Sequence, residues 1–232
     1  HKTARKLTEA RKFHPWEGGE GKVVGQYLLC HLEIAKKFIE ESRFKEALNF
    51  LTEAEHYPDN LGEGKLNGAQ ENDIHYLKGC AYEGLRQVEH ANEYFKKATI
   101  GLSEPDQAIY YNDQQPDKLF YQGLAWKKLG QPAKAEKIFN KLISFGHSHM
   151  NDKIRIDYFA VSLPDLLVFD LDLDLRNKNH CHYLIGLGCL GLNHGKQQET
   201  ERHFDTILKN DINHSGAAIH KKMIQQNIMH LG

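Results

Sequence analysis

Asp170, Asp172 and Asp174 come nearest, by type and spacing, to a catalytic motif in this chain. They follow the apolar run Leu166-Leu167-Val168-Phe169. An apolar strand closing on Asp-x-Asp is one way to present a carboxylate nucleophile to phosphorus, with the second carboxylate as acid/base. That chemistry wants Thr or Val two residues further on, where Asp174 stands, and it wants alternating strands where the flanks here are helical in pattern. The same three acids mimic the opening ligands of a calcium loop. The later positions that need Gly and Glu hold Leu175 and Cys181 instead. What is left is a set of acids at a helix end with leucines packed beneath them.

Two Gly-Lys pairs, Gly21-Lys22 and Gly64-Lys65, hint at phosphate loops. A phosphate loop needs a leading Gly and a trailing Ser or Thr; Trp16 and Asp59 occupy the first position, Val23 and Leu66 the last. Fifteen histidines invite a metal. The close pairs are His147-x-His149 and His180-x-His182, and helical residues two apart point to different sides. His147, His149 and Asp152 could share an ion only if their loop curled around it. Surface and capping histidines are the default, so no catalytic residue, metal or cofactor is assigned.

The elements that position these residues have a fixed period. Ala47-x3-Leu51-x2-Ala54, Ala91-x3-Phe95-x2-Ala98 and Ala135-x3-Phe139-x2-Leu142 start 44 residues apart each time, and Thr200-x3-Phe204-x2-Ile207 is a degenerate fourth copy. A small residue stands twelve positions before each anchor: Ala35, Gly79, Gly123 and Gly188. Fixed-period self-similarity means stacked supersecondary units. The pattern predicts helix pairs at about 24–41 with 44–56, 72–85 with 88–100, 117–129 with 132–145, and 179–192 with 196–209. A last helix at about 215–230 would cap them. A short basic helix is expected over 2–12. It leads into a Pro- and Gly-rich loop in which Phe13 and Trp16 would staple onto the first pair. Ser103 would cap a short helix at about 105–111. The stretch 146–178 reads as an irregular helical insertion, with helices from 154 to 160 and from Ser162-Leu163-Pro164 onward. The chain thus divides into an extension (1–23), three pairs with long spacers (24–145), the insertion, and a fourth pair with its cap (179–232).

Composition agrees with such an array. Thirty Lys and Arg against thirty-one Asp and Glu leave no basic excess for nucleic acid or an anionic membrane. No apolar run approaches the roughly 18 residues a membrane span needs. Cys30, Cys80, Cys181 and Cys189 form no C-x-x-C and are expected to be buried free thiols, as suits a reducing, cytoplasmic setting. The start at His1-Lys2-Thr3 suggests a piece of a longer protein.

These units resemble tetratricopeptide repeats (TPR). Gly79, Tyr82, Ala91, Phe95 and Ala98 fall at that family's small and aromatic positions, as do Gly123, Trp126, Gly130, Ala135 and Phe139, and Ala35, Phe38, Ala47, Leu51 and Ala54. The fourth unit departs, with Thr200 and Gly191 at a small and an aromatic position. The resemblance implies an all-α, right-handed α-solenoid. The runs FHPWEGGEGKV (13–23), NLGEGKLNGAQENDIHY (60–76), YYNDQQPDK (110–118) and RIDYFAVSLPDLLVFD (155–170) look like the C-terminal region of a family of large bacterial proteins. Those proteins carry an N-terminal, carbohydrate-related domain of unknown function.

The resemblance places partner contacts on the concave face, lined by the first helix of each pair. That face comprises Asp73, Tyr76 and Glu83, then Asp117, Phe120 and Lys127, then His182, with Tyr76 and Phe120 as exposed aromatic anchors. Long spacers would partly fill it and leave a pocket edged by Asn72, Asp73, Tyr111, Asn112, Asp113 and Asp117, whose carboxylates, amides and aromatic ring suit a sugar. The expected function is a non-enzymatic interaction or interdomain scaffold for a protein, a peptide or a neighbouring domain. The alternative is a carbohydrate- or small-ligand-binding accessory region of a sugar-processing enzyme.

Overall fold

The computed structural model describes residues 1–17, 19–108, 113–154, 172–193 and 195–225. The described residues form ten α-helices, one short 3-10 turn (Asp59–Leu61) and no strand, so the chain is all-α. In order the helices are α1 (Lys2–Ala10), α2 (Lys22–Glu40), α3 (Phe44–Ala54), α4 (Asn72–Gly84), α5 (Val88–Ala98), α6 (Pro116–Lys128), α7 (Pro132–His149), α8 (Leu173–Leu192), α9 (Gln197–Asn210) and α10 (Ser215–Gln225). They fall into two compact units, one ending at Ala98 and one beginning at Thr99.

The turns that join the helix pairs repeat in conformation as well as in sequence. Ser42, Arg86 and Gly130, each 44 residues from the next, all adopt left-handed backbone, with φ of 58°, 61° and 69°. In each, the amide just beyond reaches back to a carbonyl one turn into the helix: Arg43 to Phe38 (2.8 Å), Gln87 to Tyr82 (2.9 Å) and Gln131 to Trp126 (2.9 Å). This is the Schellman closure, which satisfies the orphan carbonyls of a helix end and needs one left-handed residue. Gly130 adopts it without cost, whereas Ser42 and Arg86 carry a Cβ into a region that penalises one.

In the first unit, α2 pairs with α3 and α4 with α5, while α3 also packs on α4 and α1 lies on α2. Small residues set the distances. Ala35 on α2 and Ala47, Leu51 and Ala54 on α3 are fully buried. A Cβ on Gly79 would overlap the Phe95 ring, and one on Gly84 the ring of Phe44. Ahead of α2, Phe13 packs with Val23, Val24, Tyr27 and Leu61. The Asn60 amide donates to the Thr8 (2.7 Å) and Arg11 (2.8 Å) carbonyls, tying down the end of α1. The staple is therefore Phe13 alone: Trp16 is 56% exposed, its backbone turned to φ 57°.

In the second unit, α6 pairs with α7 and α8 with α9; α7 also packs on α8, and α10 returns over α9 and α8. Gly123 faces the Phe139 ring as Gly79 faces Phe95. The fourth pair differs from the sequence expectation. The ring of Phe204 lies against Gly186, and Gly188 instead meets Ile143 and the Phe139 carbonyl on α7. The connection causes the shift: α8 runs to Leu192 and α9 begins at Gln197, with Asn193 (φ 55°) and Gly195 (φ 66°) both left-handed, so the tight turn of the earlier pairs is replaced. Helix α8 also starts six residues earlier than expected, because the Asp172 carboxylate caps it by accepting from the Leu175 amide (2.9 Å).

No helix forms over 105–108. Ala108 is left-handed (φ 48°), which a right-handed helix excludes, and Glu104 and the Ser103 carbonyl are drawn instead to Lys141 on α7. The rest of that expected helix, and those over 154–160 and from Ser162 through Phe169, lie outside the described residues apart from Ile154, which is not helical.

Two substitutions test this frame by urea unfolding. Gly79→Ala forces a Cβ into the Phe95 ring and is expected to destabilise by about 1–3 kcal/mol. Arg86→Gly relieves the left-handed turn and is expected to stabilise by up to about 1 kcal/mol. Equal stability of Gly79→Ala and the native chain would remove the close approach as the pairing determinant.

Candidate functional site

The expected partner face begins on α4, which is buried along most of its first three turns. Asn72 is buried and donates to the Ala98 carbonyl at 2.8 Å. Asp73 is buried and accepts from the Ile74 amide at 2.9 Å. Tyr76 is 9% exposed, its ring 5.8 Å from that of Phe95. Glu83 alone of this set is exposed. Tyr76 is thus a core residue rather than an exposed anchor, because α4 packs on α2, α3 and α5.

The second unit gives the same correction. Phe120 on α6 is fully buried, with the His220 ring of α10 edge-on to it at 5.3 Å and 88°, and Tyr121 and Phe139 beside it. The last helix folds back over the position that sequence assigns to a partner. Lys127 is exposed overall, yet its ammonium donates to the Gly191 carbonyl at 2.6 Å and stands 5.4 Å from the Phe139 ring centre, so it links α6 to α8. Burial pulls its pKa below the usual lysine value. Asp117 and Asp113 are half-buried. Tyr111 and Asn112 lie outside the described residues. Of the expected sugar pocket, Asn72 and Asp73 belong to the first unit, Asp113 and Asp117 to the second.

His182 is half-buried and meets His203 of α9 with Nδ1 to Nδ1 at 2.8 Å. Two such nitrogens approach this closely only when one carries the proton and the other accepts it. Burial first, then His182 and Arg202, push the His203 pKa down to about 4; His147 adds to the effect and Glu199 opposes it. His180 is turned away, its Nε2 2.7 Å from the Asp106 carbonyl. His149 meets Asp152 at 2.6 Å, while His147 is exposed. All four cysteines are buried thiols outside any disulfide; burial raises Cys181 and Cys189 to about 11, which keeps those two inert.

A different cluster, which no local motif discloses, joins α1, α2 and α3. Glu9, His31 and Glu53 bring one ligand atom each within 4.8 Å of one another. They lie 22 residues apart in the chain, so only the packing of the three helices assembles them. Arg5 stands at the rim, its Nε 2.6 Å from Glu9 Oε1 and its Nη2 3.2 Å from Glu53 Oε2, with its guanidinium 4.6 Å from the Phe50 ring centre.

No protein-family model matches this chain, and no solved structure matches it significantly. Among the described residues, no helix is long and apolar enough to cross a membrane. What the structure itself defines is an all-α protein of tightly turned helix pairs.

Two outcomes follow from the buried groups. Phe120→Ala is expected to destabilise the chain by about 3–5 kcal/mol, as a core truncation does; a change below about 1 kcal/mol in denaturant unfolding would contradict its burial. The His203 pKa is lower in the folded chain than its ordinary 6.5, so the unfolded chain binds the proton first. Its contribution to stability is full above about pH 6.5 and is lost as pH falls towards 4. Unfolding midpoints across that window should fall with pH, and His203→Asn should flatten the slope in part. Part of the slope should remain, because burial also lowers His75, His180, His182 and His214.

Proposed function

We propose that this chain is a right-handed α-solenoid of TPR-like pairs that serves as a non-enzymatic docking scaffold for another protein or for a neighbouring domain of its own chain. The observation that carries the reading is the recurrence, at 44-residue intervals, of one left-handed turn at Ser42, Arg86 and Gly130. It is reinforced by the small-against-aromatic contacts Gly79–Phe95 and Gly123–Phe139. Helix pairs closed the same way stack through like faces, and stacked arrays present extended surfaces to partners. Because Tyr76 and Phe120 are core, partner contacts fall to first-helix side chains that still reach solvent, Glu83 on α4 and His182 on α8. A sequence likeness to bacterial proteins with a carbohydrate-related domain makes that domain a natural neighbour.

A peptide-display selection against the full chain tests this. The expected result is a set of enriched peptides that bind about tenfold more weakly to Glu83→Lys or His182→Ala, as truncation or reversal of a contact residue does. Glu136→Lys, on the exposed side of α7, should leave them unaffected. An empty selection, or equal weakening by Glu136→Lys, would remove the docking reading. A saturable rise in Tm with sugars, abolished by Asp113→Asn, would replace it with the carbohydrate reading.

A further inference from the structure

His31 carries an unsatisfied nitrogen into a pair of carboxylates. Its side chain is fully buried in α2, and its Nδ1 lies 2.9 Å from the Tyr27 carbonyl. A carbonyl only accepts, so Nδ1 bears a proton and, in the neutral ring, Nε2 bears a lone pair. That Nε2 points among Glu9 and Glu53. It stands 3.3 Å from Glu53 Oε2 and makes no hydrogen bond. A lone pair facing a carboxylate oxygen at this distance is repulsive unless something positive stands between them. A second proton on the ring would not be aimed at Oε2, since the geometry of a hydrogen bond is not met there. A cation placed among the three groups need not lie on the line joining two of them.

We propose that Glu9, His31 and Glu53 form a binding site for a divalent d-block ion of the zinc type. An imidazole with two carboxylates is a ligand set that suits such ions and not magnesium or calcium, which take oxygen ligands. The surroundings are those of a metal-binding histidine. Its far nitrogen is held by a backbone carbonyl, which fixes tautomer and ring direction. The Tyr27 ring packs 4.1 Å from the His31 ring, and the Tyr27 hydroxyl donates to the Glu53 carbonyl at 3.1 Å, anchoring α3 beside α2. That hydrogen bond commits the Tyr27 hydroxyl as a donor, so it is not a competing ligand. The glutamate side chains are 39% and 50% exposed, which leaves a path from solvent and an open coordination position.

Arg5 is the competitor. It already neutralises part of the carboxylate charge, and each carboxylate has a second oxygen with which to keep it while the first turns to the ion. Binding would tie α1, α2 and α3 together through one atom.

The test is calorimetric titration of zinc into the chelator-treated full chain, alongside Glu9→Gln, Glu53→Gln and Arg5→Gln. All three substitutions fall on partly exposed side chains, and circular dichroism confirms that each variant is folded. The expected result is one tight equivalent of zinc that weakens at least about 10- to 100-fold in both glutamate variants and tightens in Arg5→Gln, where the competing cation is gone. The same equivalent should raise Tm in the native chain and leave it unmoved in Glu9→Gln and Glu53→Gln. Absence of a tight equivalent in both the native chain and Arg5→Gln would overturn the proposal and leave Arg5 as the cation that serves both glutamates. A tight equivalent that survives both glutamate substitutions would overturn it too, by placing the ion on other histidines.

Discussion

How closely two helices can approach is the constraint on which this protein depends. At Gly79 and Gly123 an aromatic ring from the second helix of the pair occupies the space a side chain would take, and in the first pair Ala35 and Ala47 are fully buried. A glycine inside a helix costs up to about 1 kcal/mol relative to alanine. The ring it admits offsets that by burying a large apolar surface against backbone. The turn geometry follows from the same constraint. Helices this close need a connection of only a few residues, and a left-handed residue closes the first helix while reversing the chain.

Close pairing on two sides removes the polar outer face from the middle helices. Helix α4 buries Asn72, Asp73 and Lys78 along with its apolar residues, and α8 buries Asn177 and Asn179. Each of these is accommodated by a specific contact. Asn72 donates to the Ala98 carbonyl, Lys78 pairs with Glu55 at 2.6 Å, Asn177 donates to the His149 carbonyl at 2.8 Å, and Asn179 accepts from Asn210 at 2.8 Å. Asn72 and Asp73, which look like a binding face in sequence, are therefore part of the hydrogen-bonding that makes burial of α4 possible.

This explains which parts of the structure could be read from sequence. The three pairs from α2 to α7 were legible within a few residues, because small, aromatic and turn positions repeat and each carries its own local physics. The fourth pair was misaligned by two residues at Gly186 and Gly188, since its register is set by a longer connection that the period does not encode. Burial of Tyr76 and Phe120 was not legible: it depends on what covers a helix, and for Phe120 the cover is α10, 100 residues away at His220. The Glu9, His31 and Glu53 cluster was invisible for the same reason, as three separate helices each supply one member.

Phe139 has a consequence of its own. Its ring fills the space above Gly123 on α6 and above Gly191 on α8, while its carbonyl abuts Gly188. One side chain of α7 therefore serves as the filling for the helix before it and the helix after it. Helix arrays often melt as a series of semi-independent pairs, each with its own local stability. Here α7 can part from neither α6 nor α8 without uncovering the same ring, so the stabilities of α6, α7 and α8 are coupled through one side chain.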